Sequence, residues 1–188
     1  VGEADLRDQL ELGEATIVLT VSAKRPHKNL ERLFEAFAEV PGDPVLVVPG
    51  YETFYEEKLR ERAGERIIFT GWLEDAVLAG LYEAAACFVF PSLAEGFGLP
   101  VLDAMVRGVP VACSNASSLP EVAGDAALYF DPSDTGAITA AIERLLDDGE
   151  LRDRLREAGR AQARKFDWAE TAARTVECYE RALATARS

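Results

Sequence analysis

Histidine and methionine each occur once in these 188 residues, and cysteine occurs three times. The scarcity bounds the chemistry. Cys87, Cys113 and Cys178 fall at none of the spacings that hold a metal, and His27 alone supplies no ligand set. Two of the cysteines sit in apolar runs, where a free thiol behaves as a small hydrophobe, as expected in a reducing cytoplasm. Basic residues are also short: 20 Lys and Arg against 33 Asp and Glu, for a net charge of −13. That balance argues against non-specific nucleic-acid binding and against an anionic membrane surface. No apolar run approaches the length of a membrane span, and no signal-peptide pattern is visible. Repeats, low-complexity stretches and linkers are absent from the pattern, so residues 1–188 read as one domain. The chain opens on Val1 in place of a methionine, which reads as a part of something longer.

What is present is a hydrophobic content of 48%, enough for a sizeable core. Short β-branched and apolar runs alternate with helical spacing. Strands are expected at 16–22, 45–48, 66–70, 87–90, 109–113 and 127–130. Helices are expected at 6–10, 30–40, 54–63, 75–85 with Asp75 as cap, 99–107 ending at Gly108, one turn at 119–123, and from 135 onward. Breaks fall at Gly149 and near Phe166, and Asp167 looks like the cap of the last helix. Strands of this kind are buried on both faces. The fold class is therefore α/β: a parallel sheet of about six strands, helices on both faces and a helical C-terminus. Ligands in such folds bind beyond the carboxyl ends of the strands.

The segment Pro91-Ser-Leu-Ala-Glu95-Gly-Phe97-Gly98-Leu99-Pro100-Val-Leu-Asp103-Ala-Met105 follows the fourth strand and turns through two glycines into a helix. Free N–H groups and the positive end of the helix dipole make such a turn an anion seat. Two carboxylates, Glu95 and Asp103, flank it. Carboxylates suit hydroxyl donors, so a ligand carrying both phosphate and a polyol fits best, which points to a sugar nucleotide. Lys24-Arg25-Pro26-His27-Lys28-Asn29 lies between the first strand and first helix. Cations there oppose the helix dipole at a cost of a few tenths of a kcal/mol or more each (about 0.3–1). Their placement points to a diphosphate clamp on the same edge of the sheet.

Each of these residues also has a plainer reading. Glu95 reads as an exposed loop acid, Asp103 as a first-turn acid that suits the dipole, and residues 24–29 as a solvated turn. The coincidence of both acids with Gly96, Gly98 and Pro100 weighs against that. Leu102, Met105 and Val106 read as core, Trp72 and Trp168 as packing anchors, and Glu121 as a residue that orients a neighbour.

In order along the chain, Pro26-His27-Lys28-Asn29, Phe69-Thr70-Gly71-Trp72, Glu95 to Asp103, Leu119-Pro120-Glu121-Val122 and Phe166-Asp167-Trp168 resemble the motifs of the family four, GT-B-fold retaining glycosyltransferases. The likeness is to their C-terminal, donor-binding, Rossmann-like half, and it covers essentially the whole chain. It implies transfer of a hexose, mannose or glucose, from a nucleoside-diphosphate sugar to an acceptor hydroxyl with retention. Glu95 would hold the sugar hydroxyls and Asp103 the ribose. Lys28 would neutralise the diphosphate with the backbone of Phe97, Gly98 and Leu99, and Gly71 and Trp72 would face the base. No metal or other cofactor is called for, and no Asp-x-Asp pair is present. The acceptor site would lie in an N-terminal domain absent from this chain, which would also make any contact with the inner membrane face. This half alone would transfer nothing. Two departures stand out: Asp103 replaces the family's usual glutamate, and Ser22-Ala23 replaces a Gly-Arg pair whose arginine meets the diphosphate. Arg25 is the candidate substitute. A non-catalytic nucleotide-binding or interaction domain of the same fold, and a sugar-nucleotide epimerase, remain the alternatives.

Overall fold

The computed structural model describes residues 2–186. After a short helix α1 (Glu3–Gln9), strands and helices alternate: β1 (Ile17–Leu19), α2 (Leu30–Ala38), β2 (Val45–Pro49), α3 (Glu56–Arg60), β3 (Ile67–Gly71) and α4 (Asp75–Ala84). The second half runs β4 (Cys87–Phe90), α5 (Leu99–Val106), β5 (Val111–Ser114), α6 (Leu119–Ala123) and β6 (Ala127–Phe130), then α7 (Thr135–Asp147), α8 (Gly149–Ala163) and α9 (Trp168–Ala186). All strands pair in parallel in the order β3-β2-β1-β4-β5-β6. The expected α/β architecture is therefore present.

Strand alternation divides the core in two. Ile17, Leu19, Val47, Phe88, Phe90, Val111 and Cys113 face one layer, with α1, α4, α5 and α6. Val18, Leu46, Val48, Cys87, Val89 and Ala112 face the other, with α2 and α7. Successive side chains of a strand point to opposite faces, so only strands apolar at every position suit a sheet covered on both sides. Each buried Leu, Ile, Val or Phe contributes roughly 1.5–3 kcal/mol. Burial also pushes the Cys87 and Cys113 thiols up to about 12, which leaves them as packing groups.

Several boundaries differ from the sequence reading, and the differences concentrate at the carboxyl edge. β1 stops at Leu19, though Thr20 still donates to Val47 O; residues 20–24 leave the sheet because Lys24 turns inward. The 54–63 helix shrinks to α3, with Phe54 exposed in the loop before it. β5 starts at Val111, since Pro110 has no N–H to donate. Glu74, not Asp75, occupies the N-cap position of α4. Asp148 caps α8, placing the break one residue before Gly149, and Asp167 Oδ1 accepts from Ala169 N–H as expected. Trp168 is exposed and anchors nothing in the core.

β1 and β4 share only two register pairs, Val18 with Cys87 and Leu19 with Phe88. At that point the strand order reverses, and in open α/β sheets such a switch point, beyond the carboxyl ends of the strands, is where ligands bind.

Candidate functional site

The loops that leave the sheet at the switch point, residues 20–29 after β1 and 91–98 after β4, bond directly to one another. Leu93 N–H donates to His27 O at 2.8 Å, and the buried Asn29 side chain donates to Pro91 O at 3.1 Å and Pro132 O at 2.8 Å. Asn29 has φ +58, a conformation asparagine tolerates better than most residues. It closes the Pro26–Lys28 turn and opens α2, so Lys28 stands where the helix dipole disfavours a cation. Glu95 resolves the conflict. Lys28 Nζ lies 2.6 Å from Glu95 Oε1, with side-chain exposures of 14% and 11%, and 5.3 Å from the centre of the Phe90 ring. The two residues that the sequence singled out from opposite loops are thus in direct contact.

The Glu95 loop is held from a third side by the 115–118 segment after β5. Glu95 N–H donates to Ser117 Oγ at 2.8 Å; the Ser118 hydroxyl sits 2.7 Å from Phe97 O and 3.1 Å from Glu95 O. Ser118 occupies the N-cap position of α6 without capping it, because its hydroxyl serves the neighbouring loop. Sequence reasoning missed both serines: a Ser-Ser pair ahead of a helix looks like a local cap. Gly98 then starts α5 with φ +116, and a Cβ there would fall 2.7 Å from Leu119 Cδ2, so conformation and space both require glycine. Pro100 sits in the first turn, where its missing N–H costs nothing. Val101 N–H turns back to Gly98 O. The N–H groups of Phe97, Gly98 and Leu99 have no acceptor among the described residues; Phe97 and Leu99 are exposed and Gly98 is buried. Phe97 is braced edge-on by Phe166, with ring centres 5.7 Å apart.

Asp103 lies one helical turn beyond Leu99, on the same exposed stripe of α5 as Leu99 and Val106. Its side chain is 59% exposed, and Arg107 stands at 4.0 Å. Partial burial raises its carboxyl above the ordinary aspartate value, and the Arg107 guanidinium opposes that rise. It is a continuation of the seat along the helix rather than a partner of Lys28.

The cationic segment divides by alternation. Ala23 and Arg25 are exposed on either side of the buried Lys24, and Arg25 has an extended backbone. Lys24 does not belong to the clamp: it is fully buried and donates to Gly50 O at 2.7 Å and Tyr51 O at 3.3 Å. Gly71 ends β3 with φ +68, and Trp72 beyond it is 56% exposed. It is no packing anchor; its ring stacks on Tyr51, itself 69% exposed, with centres 6.3 Å apart and planes at 26°.

Among the described residues the exposed large apolar side chains lie on α9, on α5 (Leu99 and Val106) and in the loops at this edge, which contribute Tyr51, Phe54, Trp72, Leu93 and Phe97. A cleft of about 590 Å³ at the opposite, amino edge includes Arg152 and Arg156. The first is spent on Leu145 O and Leu146 O and the second on Asp153, so no comparable convergence arises there. Among the described residues no group of three or more His, Cys, Asp or Glu stands together as a metal set, and no helix is long and apolar enough to cross a membrane.

Doubly wound proteins seat ligands at the switch point beyond the strand ends, and amides, a lysine and a carboxylate together suit a ligand both anionic and hydroxylated. The family model for glycosyl transferases group 1 matches residues 3–162, and the chain belongs to that family. It is 40% identical over 171 residues to the O-antigen chain mannosyltransferase B of Escherichia coli, covering 86% of this chain and 45% of that protein. Sucrose-phosphate synthase of Thermosynechococcus elongatus has the same fold, with a TM-score of 0.81 at 30% identity over 97% of this chain and 49% of that one. Anabaena HepE in complex with UDP-glucose superposes with a TM-score of 0.85, at 21% identity over 95% of this chain and 52% of that one, a likeness of fold. The chain thus spans less than half the length of the curated relatives it matches.

Proposed function

We propose that this chain is the donor-binding part of an enzyme that transfers a hexose, mannose or glucose, from a nucleoside-diphosphate sugar to an acceptor hydroxyl with retained configuration. The observation that carries the reading is the 2.6 Å contact of Lys28 with Glu95 beside the free amides that open α5. A cation, amides and a hydroxyl acceptor meet there within reach of one ligand.

Lys28, Arg25 and the N–H groups of Phe97, Gly98 and Leu99 hold the diphosphate. Glu95 accepts from sugar hydroxyls, Asp103 from the ribose, and Gly71 and Trp72 border the base. As the glycosidic bond breaks, negative charge grows on the departing diphosphate. Groups already aimed at that charge stabilise it without reorganising, which is where such sites gain most of their rate. Lys28, Arg25 and the amides supply the positive charge that a divalent metal supplies in other transferases. Lys28 and Glu95 neutralise one another; a diphosphate that reaches Lys28 competes with Glu95, and sugar hydroxyls that reach Glu95 release Lys28. The acceptor site lies in the remainder of the longer protein, as does any membrane contact, and the reaction is cytoplasmic.

Calorimetry with UDP-, GDP- and ADP-sugars tests the reading, since a native-state ligand also raises the melting temperature by mass action. One of the three should bind, and Lys28→Ala should weaken the nucleoside diphosphate about tenfold while leaving the nucleoside alone. Equal loss of both, or no binding by any sugar nucleotide, overturns it.

A further inference from the structure

The most heavily partnered cation at the carboxyl edge is one the clamp does not use. Lys24 is fully buried, yet it donates to Gly50 O at 2.7 Å and Tyr51 O at 3.3 Å and has Glu56 Oε2 at 3.1 Å as an ion-pair partner, an oxygen that takes no hydrogen bond among the described residues. Glu56 is itself buried, and its other oxygen is held by Arg60 at 2.6 Å. Thr53 Oγ1 donates to Lys24 O at 2.8 Å, tying the same loop from the other direction. Gly50, at φ +131, brings its backbone so close to residues 20–24 that a Cβ would lie 2.9 Å from Ser22 O. Gly50 N–H donates to Gly71 O at 2.9 Å, one residue before Trp72.

These bonds form a continuous path from the loop after β1, through Gly50 and Tyr51, to Gly71 and Trp72. A buried ammonium without its acceptors is strongly unfavourable, so the 50–56 loop cannot swing away while Lys24 stays inside. The two exposed rings at the end of the path have no apolar cover; what fixes them is the backbone beneath them. Two exposed rings of that size, stacked at 6.3 Å at the carboxyl edge of the sheet, match the flat face of a nucleobase.

We propose that Lys24 is a positioning residue that sets the Tyr51–Trp72 pair as the stacking platform for the nucleobase, the base specificity of the site depending on a lysine that never touches the ligand. The proposal rests on the reading of the site as a nucleotide-sugar seat, and it adds Tyr51 to the groups that meet the ligand.

The test uses the 188-residue chain carrying Trp168→Phe, so that Trp72 is the sole tryptophan. Lys24→Met/Glu56→Met removes both buried charges together, a replacement that leaves buried sites folded more readily than removing one partner. Probes are inorganic pyrophosphate and UDP, GDP and ADP. The expected result is that the double variant holds pyrophosphate within about twofold and binds the preferred nucleotide about tenfold more weakly. Tyr51→Ala, an exposed substitution, should reproduce that split, and combining it with the double variant should add no further loss. Acrylamide should quench Trp72 more readily in the double variant. Parallel losses of pyrophosphate and nucleotide, unchanged nucleotide affinity, or additive losses overturn the proposal. Should the parent chain bind no nucleotide, the functional reading fails by itself. The acrylamide experiment then still decides whether Lys24 orders the pair: quenching identical in parent and double variant overturns that too.

Discussion

Three residues separate Lys24 from Lys28 in one loop, and each meets a glutamate, Glu56 at 3.1 Å and Glu95 at 2.6 Å. The surroundings differ. Lys24 has no exposure and spends its donors on main-chain carbonyls, so its pair cannot open without leaving a charge in the interior. Lys28 lies at the rim, with Glu95 and the face of Phe90 as its contacts, and keeps donors for an incoming anion. One loop thus carries a strut and a hand. Their roles follow from what else each ammonium touches rather than from the ion pair itself.

The sharpest way to break the comparison is to remove each glutamate's charge. Glu56→Gln should destabilise the fold by about 3–5 kcal/mol, because Lys24 is left unmatched in the interior. Glu95→Gln should cost less, about 1–2 kcal/mol, since Lys28 is part-buried and can turn to water at the rim. Urea unfolding measures both, and equal costs would erase the distinction. Gly98→Ala comes next: a Cβ at φ +116, 2.7 Å from Leu119 Cδ2, should cost about 1–3 kcal/mol and pull the α5 amides off the seat. Unchanged stability together with unchanged nucleotide affinity would show that the turn is not held as described.

The sequence displayed the sheet, because strands buried on both faces are apolar at every position, and Ile17 to Leu19, Leu46 to Val48 and Cys87 to Phe90 are so. It displayed Glu95, Lys28 and Gly98 through charges and glycines that a stability-only segment would not carry. It concealed Lys24, whose burial depends on two carbonyls 26 and 27 residues away. Ser117 and Ser118 were hidden for the same reason: their hydroxyls serve a loop more than 20 residues back. Trp168 misled because residue type alone puts tryptophan in a core, whereas α9 keeps its Trp168, Val176, Tyr179 and Leu183 exposed. Local pattern reports burial along an element; it does not report which distant carbonyl a polar group will meet.

Glu95→Gln sharpens the contrast a second way. With its counter-charge gone, Lys28 is free for a diphosphate, and the repulsion between Glu95 and the ligand is gone with it. Binding of the bare nucleoside diphosphate should tighten about tenfold. The sugar nucleotide should gain less, because the amide accepts sugar hydroxyls more weakly than a carboxylate does. Calorimetry of both ligands gives the ratio. A matched gain for the two would mean that Glu95 meets no sugar hydroxyl.

Asp103 carries the smallest expected effect. Burial raises its carboxyl above the unfolded value, so the folded chain binds the proton more tightly than the unfolded chain does. Its contribution to stability is therefore unfavourable once ionised. Stability should fall slightly as pH climbs from the ordinary aspartate value through the raised one, and Asp103→Asn should remove that fall. The Asp103 carboxylate is 59% exposed and open to hydroxyl donors. Asp103→Glu, one methylene longer on the same stripe of α5, should then keep or improve affinity for ribonucleotides relative to their 2′-deoxy forms. A collapse of that preference with the fold intact would take the ribose away from α5 and leave the diphosphate and sugar assignments to Lys28, Arg25, Glu95 and the amides.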